Sequence, residues 1–260
     1  MSDKWRMFAA IDLTEEIRER IRMTQQLLEN AGWKCRWVPE HRMHMTVRFY
    51  GDLNEETVRN LQEELRPRLA AQPAFELRVS RVGAFPGVNR PRTLWLGIDD
   101  YFEQLGKLRK AVDDASSAAG IEPEPGPYRP HLTVGRLSHD FKVDEEDAID
   151  AFQEFGAYEP LFWVPDQVNL VRSQFGRGGV QYTVIEEFPL GEPAGTVSDG
   201  DDTIYAPPKL PTLLDFLDNT DPPEDEAERP VFAIEADEPE DAPDSSDDES
   251  DNEAEGERSA

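Results

Sequence analysis

Tyr128-Arg129-Pro130-His131-Leu132-Thr133-Val134-Gly135-Arg136 has an earlier partner in the same chain, His44-Met45-Thr46-Val47-Arg48-Phe49. In each stretch a histidine and a threonine stand two residues apart, with apolar residues between and after them. A β-strand sends residues i and i+2 to one face. Each His–Thr pair therefore shares a face, while Met45, Val47, Leu132 and Val134 point into a core. The motifs lie 87 residues apart, and Ile11-Asp12 returns as Ile98-Asp99 at the same offset. Strand, helix, loop and His-x-Thr strand, made twice, is an internal duplication.

The 260-residue chain has a formal net charge of −28, which taken whole argues against a polyanionic partner. That charge is unevenly placed. Residues 191–260 hold 24 of the 55 acidic side chains and 3 of the 27 basic ones, a net of −21. Residues 1–190 are left with −7, so the acidity says little about what the folded part binds. The C-terminal region is rich in Asp, Glu, Pro and Ser and cannot bury enough surface to offset chain entropy. The expected organisation is a two-lobed domain over residues 1–190 and an acidic, disordered tail over 191–260. Two apolar islands in that tail, 210–217 and 230–234, read either as docking motifs for an unidentified partner or as transient structure. Cys35 is alone, so no intrachain disulfide can form. Met1–Arg6 lacks an apolar signal core, and no apolar run approaches the ~18 residues of a membrane helix. These features point to a cytoplasmic protein with no membrane association, expected to be monomeric.

Residues 7–13 read as a short buried strand, followed by a helix capped by Thr14, with Glu15 and Glu16 in its first turn and Gly32 at its end. Residues 36–39 lead into the first His-x-Thr strand, which Gly51 is expected to close. Asn54 reads as the cap of a second helix with Val58, Leu61, Leu65 and Leu69 on one side. Phe75, Leu77 and Val79 alternate as a strand, and Val82–Pro86 with 89–92 read as a loop before the strand 93–98. A helix through Phe102, Leu105, Leu108 and Val112, stopped at Gly120, and the Pro-rich loop 123–127 then repeat the first copy. A further helix over 144–155 and two strands joined by a turn at Gly176-Arg177-Gly178-Gly179 complete the domain. The glycines lack phosphate-loop spacing. The pattern is α+β, in two similar halves.

Two histidines brought face to face by pseudo-twofold symmetry suit one reaction type. A neutral imidazole takes a proton from a nucleophile, while a protonated one gives a proton to a leaving group, near neutral pH. Two threonine hydroxyls on the same faces can donate to charged oxygens between them. A phosphodiester fits, because it needs in-line attack and stabilisation of phosphoryl oxygens.

The motifs His44-Met45-Thr46-Val47 and His131-Leu132-Thr133-Val134 resemble the signatures of the 2H phosphoesterase superfamily. Phe8–Asp12, Arg48–Gly51, Phe85-Pro86, Pro91–Leu96, Pro130–Arg136, Arg172-Ser173 and Phe188–Leu190 further resemble the RNA 2′,3′-cyclic phosphodiesterase family, also called 2′-5′ RNA ligase. Tyr50, Val47 and Val134 depart from its usual Leu. The resemblance implies two antiparallel sheets lining a central groove, with outer helices. It implies opening of a terminal 2′,3′-cyclic phosphate to a 2′-phosphate without metal or cofactor, and in some members reversible 2′-5′ joining of tRNA halves. By the same resemblance His44 is the proton donor to the leaving 3′ oxygen, His131 the base for water, and Thr46 and Thr133 the phosphate-binding hydroxyls. RNA ends bearing a 2′,3′-cyclic phosphate, tRNA fragments among them, are then the expected partners.

Isolated histidines usually serve a core, but a duplicated pair with matched threonines favours chemistry. His41 and His139 have no echo at the repeat offset and read as surface residues. A metal site from Cys35, His41 and His44 has no paired carboxylates nearby. Arg48, Arg92, Arg129 and Arg136 are candidates for RNA phosphates, Arg136 foremost because it follows Thr133 on one strand. Phe49 and Phe85 suit base stacking, with core packing the blander role. A second function class remains, a non-catalytic RNA- or nucleotide-binding protein that kept the fold. Intact His and Thr in both copies favour the enzyme.

Overall fold

Each His-x-Thr strand of the duplication is built beside a strand from the start of its own copy. The computed structural model describes residues 4–87, 90–100, 103–138, 159–176 and 179–193. All of these fall in a first unit, Met1–Arg229; the second, Pro230–Ala260, lies wholly outside them. The first copy runs β1 (Trp5–Ile11), α1 (Glu15–Asn30), β2 (Cys35–Trp37) and β3 (Met45–Leu53), followed by α2 (Glu55–Ala70) and β4 (Leu77–Phe85). The second runs β5 (Thr93–Asp99), α3 (Gln104–Ala118) and β6 (His131–Leu137), followed by β7 (Leu161–Trp163), β8 (Gln167–Gly176) and β9 (Gly179–Pro189).

The strands follow the order β7-β4-β5-β6-β3-β1-β8-β9, with β2 paired to β6. Every described pairing of named strands is antiparallel. Read from its centre, the order mirrors itself: β3 matches β6, β1 matches β5, and β8 matches β4. The strand that follows each copy therefore crosses to the other copy's sheet, β4 beside β5 and β8 beside β1. The two sheets meet at one bridging pair, Met45–Leu132, so the expected pair of sheets is a single path with a narrow seam.

Local chemistry explains the helices. Thr14 Oγ1 accepts from the Ile17 N–H at 3.4 Å, and Asn54 Oδ1 accepts from the Thr57 N–H at 2.8 Å. Ile17, Ile21, Thr24 and Leu28 bury one stripe of α1, and Val58, Leu61, Leu65 and Leu69 one stripe of α2. α3 has no side-chain cap of its own. The Asp100 carboxylate accepts from the Leu105 N–H instead.

Three expectations change. Gly51 does not close its strand: β3 continues to Leu53, and Gly51 (φ +69°) sits at a bulge where Met7 pairs with Gly51 and Phe8 with Phe49, leaving Tyr50 over. Val82–Phe85 belong to β4 rather than to a loop, because Ala84 and Val82 pair with β5 and are buried. The domain also extends past Leu190. Gly191 donates its N–H to Gln72 O at 2.7 Å and accepts from Ala74 N–H at 3.0 Å. The helix expected over 144–155, His139 and residues 194–260 lie outside the described residues. Arg177 and Gly178 do too; the residues on either side of them, Gly176 and Gly179 (φ +91°), pair with one another.

Candidate active site

Met45, Val47, Leu132 and Val134 are all at most 1% exposed, so the opposite face of β3 and β6 carries the polar motif residues. His44, Thr46, His131 and Thr133 are each half-buried there. The Met45–Leu132 bridge sets a register in which His44 stands level with Thr133, and Thr46 with His131. The motif residues form a rectangle across the seam, each histidine facing the other copy's threonine.

The two imidazoles are held alike. His44 Nδ1–H donates to Arg42 O at 2.8 Å, and His131 Nδ1–H donates to Arg129 O at 2.8 Å. Arg42 and Arg129 are themselves 87 residues apart. With Nδ1 carrying the proton, Nε2 is the basic nitrogen of each neutral ring. Thr46 Oγ1–H donates to His44 Nε2 at 3.1 Å.

Each ring rests on aromatics. Phe8 lies 4.9 Å from His44, centroid to centroid, and Tyr182 meets His44 edge-on at 5.3 Å. Phe85 meets His131 edge-on at 5.1 Å and packs against Trp95 at 5.1 Å. Phe8, Ala10 and Val171 form an apolar patch of their own, with Tyr182 against it. Burial therefore pushes both imidazoles below their ordinary value, His44 to about 4. The Arg42 carbonyl and Asp12 act the other way on His44, while the His131 ring and Arg18 add to the depression. At His131 the Arg129 carbonyl opposes burial and Arg136 reinforces it.

A bulge in each motif strand decides what else faces the groove. Thr46 pairs with Ala10 and Arg48 with Ala9, leaving Val47 over; Thr133 pairs with Trp95 and Gly135 with Leu94, leaving Val134 over. The extra residue lets two successive residues face the core, and the next returns to the groove. Burial follows suit: Val47 and Arg48, like Val134 and Gly135, are buried, whereas Phe49 is 37% exposed and Arg136 half-buried. Arg48, expected at RNA, is thus turned away from it. At 1% exposure it pairs with Asp113 of α3 and donates to Glu122 O at 2.7 Å, a structural ion pair. Arg136, which alternation from His131 would turn to the core, lies half-buried near Arg36, Arg42 and Tyr182. Arg129 is exposed, and its backbone carbonyl anchors His131. Arg92 donates from Nη1 to Ser138 O at 3.2 Å and takes backbone bonds from Leu137 and to Phe85. Phe49 packs one side against Phe8 at 5.9 Å and leaves 37% of its surface open, while Phe85 is committed to His131 and Trp95.

Asp12 was legible as half of a repeated dipeptide and as the end of the stretch Phe8–Asp12, with no role assigned, yet it lies beside His44. Its carboxylate accepts from Asn169 Nδ2 at 2.9 Å and supports charge on His44. Its repeat partner Asp99 is instead taken up by Arg78 at 2.7 Å and Arg81 at 3.2 Å. Tyr182 carried no signal beyond strand alternation. Cys35 is half-buried, and burial raises its thiol to about 12, which suits neither a metal ligand nor a nucleophile.

A duplicated α+β sheet with one His-x-Thr strand per copy, the pairs facing across a seam, defines a 2H phosphoesterase. The model of the 2'-5' RNA ligase superfamily matches residues 11–177, and the chain belongs to that family. It is 30% identical over 187 residues to the RNA 2',3'-cyclic phosphodiesterase of Methanothermobacter thermautotrophicus, covering 72% of this chain and 100% of that one. The protein of the same description from Methanocaldococcus jannaschii is 33% identical over 186 residues, covering 70% and 99%. Among solved structures, a Thermus thermophilus protein superposes with a TM-score of 0.59 at 24% identity, over 72% of this chain and 98% of that one. E. coli LigT complexed with 3'-AMP gives 0.56 at 24% identity, over 72% and 99%, which speaks to fold alone.

Proposed function

We propose that this chain opens the terminal 2′,3′-cyclic phosphate of RNA to a 2′-phosphate, by acid–base catalysis between His44 and His131 without a metal ion. The observation that carries this reading is the matched anchoring of both rings, Nδ1 on a carbonyl at 2.8 Å so that Nε2 is the basic nitrogen of each, in a chain of this family. In the step, His131 Nε2 takes a proton from water and the water oxygen bonds to phosphorus. The P–O3′ bond breaks, and His44 Nε2–H gives its proton to the leaving oxygen. Thr46 and Thr133 donate to the non-bridging oxygens, and Arg136 offsets their charge.

Family resemblance assigns His44 as the donor and His131 as the base. Around His44, Asp12 favours the cation while the His131 ring and Arg18 oppose it; around His131, Arg136 favours the neutral ring. Burial alone keeps both neutral. A phosphate seated between the threonines supplies the negative charge that lets one imidazole hold its proton. Phe49 offers an open ring to the base of the terminal nucleotide. With a 5′-hydroxyl in place of water as the nucleophile, the same groups break the same P–O3′ bond and join ends through a 2′-5′ bond, and the reverse step cleaves that bond back to the cyclic phosphate. The RNA ends include tRNA fragments, and the protein acts as a cytoplasmic monomer.

Product analysis on a short oligonucleotide ending in a 2′,3′-cyclic phosphate tests the proposal. A 2′-phosphate is expected, formed equally well in a chelator. His44→Ala and His131→Ala are each expected to slow turnover by ~10²–10⁴-fold, the usual share of a positioned acid or base. Binding without turnover would instead place the chain among non-catalytic RNA-binding proteins.

A further inference from the structure

The bulges at Val47 and Val134 raise an accounting question, because a residue inserted into a ladder leaves its carbonyl without a partner strand's N–H. A carbonyl so placed beside a buried side chain needs a donor from elsewhere. In both strands the donor comes from the other copy. Val47 O accepts from Arg109 Nη1 of α3 at 3.0 Å, and the adjoining Thr46 O accepts from Tyr128 Oη–H at 3.2 Å. Val134 O accepts from Gln25 Nε2 of α1 at 3.0 Å and from the Val38 N–H at 3.0 Å. The same Gln25 amide donates to Val38 O at 2.9 Å, so one side chain ties α1, the segment after β2 and the β6 bulge together. Arg109 is braced in turn by Asp113 at 2.9 Å and Glu124 at 3.0 Å, and lies over the Tyr128 ring at 4.8 Å.

The two carbonyls are repeat equivalents but their donors are not. The partner of Arg109 at the 87-residue offset is Arg22, which faces Glu15 and Glu19 instead. Two chemically different side chains have been placed on one backbone feature. That feature governs the groove. A bulge that migrates one position along its strand exchanges the residues facing groove and core, and Phe49 or Arg136 loses its place.

Resting on the function proposed above, we propose that Gln25, Tyr128 and Arg109 are positioning residues, each copy's side chains clamping the bulge in the other copy's His-x-Thr strand. Thr46 depends on Tyr128 and Arg109 of the second copy. Thr133 and Arg136 depend on Gln25 of the first. Assembly of the catalytic face thereby requires both copies to be docked correctly.

The test uses two small truncations in the full chain. Tyr128→Phe removes one hydroxyl and keeps the ring against Arg109; Gln25→Met removes the amide at similar volume. Turnover of a cyclic-phosphate oligonucleotide, thermal melting and NMR titration of the His44 and His131 rings are measured for each. Tyr128→Phe is expected to lower kcat about 3–30-fold with KM little changed. Gln25→Met is expected to raise KM by a similar factor, through Arg136. The ring titrations should cross: Tyr128→Phe moves His44 and leaves His131, and Gln25→Met does the reverse. Unchanged kcat and KM, or equal movement of both rings with a lowered melting point, would overturn the clamp. If the parent opens no cyclic phosphate, the proposed function fails, and the crossed or uncrossed titrations still decide the clamp.

Discussion

Arg48 and Arg136 follow their histidines by four and five residues and end on opposite faces of the sheet. Counting in twos from His131 would place Arg136 with the core, and counting from His44 would place Arg48 with the groove. Both counts fail at the same place, the bulge. The His–Thr pairs were legible in the sequence because they lie before it. The difference has a direct test. Arg136→Ala is expected to weaken binding of a 2′-phosphorylated product by ~10–100-fold, the weight of hydrogen bonds to a charged group. Arg48→Met is expected to leave that affinity alone and cost about 1–3 kcal/mol of stability, since Glu122 O loses its donor and Asp113 keeps only Arg109. Product titration and denaturant unfolding of both variants check the pair. The imidazoles give a second prediction. Both folded-state values lie below the ordinary one, His44 at about 4, so kcat/KM should peak on the acid side of pH 6.5. The kcat profile should sit higher, because bound phosphate favours the cation. For stability the sign is unfavourable in acid. The unfolded chain protonates His44 below about 6.5 while the folded chain does not until about 4, so stability falls across that window and then levels. His44→Gln should flatten the loss in a melting series from pH 7 to 4.

At the scale of elements, capping and periodicity were readable because they are local. Thr14, Asn54 and the positive-φ glycines Gly32 and Gly120 mark helix ends through side-chain or backbone geometry that three or four residues determine. Bulges and strand lengths were not readable, because they depend on the partner strand. Gly51 looked like a terminator for that reason: a positive φ serves a bulge as well as a turn. Gly135 shows what the second copy gains where the first has Arg48. An added Cβ there would stand 2.7 Å from Trp37 Cε3 and 3.3 Å from Cys35 Cβ, so β2 can lie close over β6 only without a side chain. Gly135→Ala is therefore expected to cost about 1–3 kcal/mol, as overpacking of a tight contact does. Because β2 leads through Val38 to the clamped Val134 carbonyl, turnover should fall as well. Gly32→Ala, where nothing lies within 4 Å, is strained by its φ of +86° alone and should destabilise without slowing catalysis. Chemical unfolding and steady-state rates on the two variants separate packing at the site from packing outside it.

For the whole molecule, the duplication was visible from the His-x-Thr echo and the Ile-Asp echo, but the exchange of β4 and β8 between the sheets was not. A crossover is a matter of where a chain goes after its repeat ends, and no side chain announces it. The C-terminal boundary shows the same limit. Composition changes after Leu190, while the backbone remains engaged one residue further, with Gly191 bonded to both Gln72 and Ala74. A chain ended after Pro193 retains those bonds and sheds most of the net −21 carried by residues 191–260. It is expected to melt with the full-length protein. At low salt it should open cyclic phosphates at least as fast, because a polyanionic appendage repels RNA over a Debye length of ~8 Å at physiological ionic strength and further in dilute buffer. The two rates should converge as salt rises. A chain ended after Leu190 should lose the clasp between the end of β9 and the segment after α2, and melt lower than either. If the acidic region instead occupies the groove in place of RNA, removal would raise activity many-fold and an added tail peptide would inhibit. Substrate affinity of the full chain and of the chain ended after Pro193, across a salt series, distinguishes long-range repulsion from occupancy. An unfolded or inactive product of that truncation would show that residues beyond 193 belong to the catalytic domain.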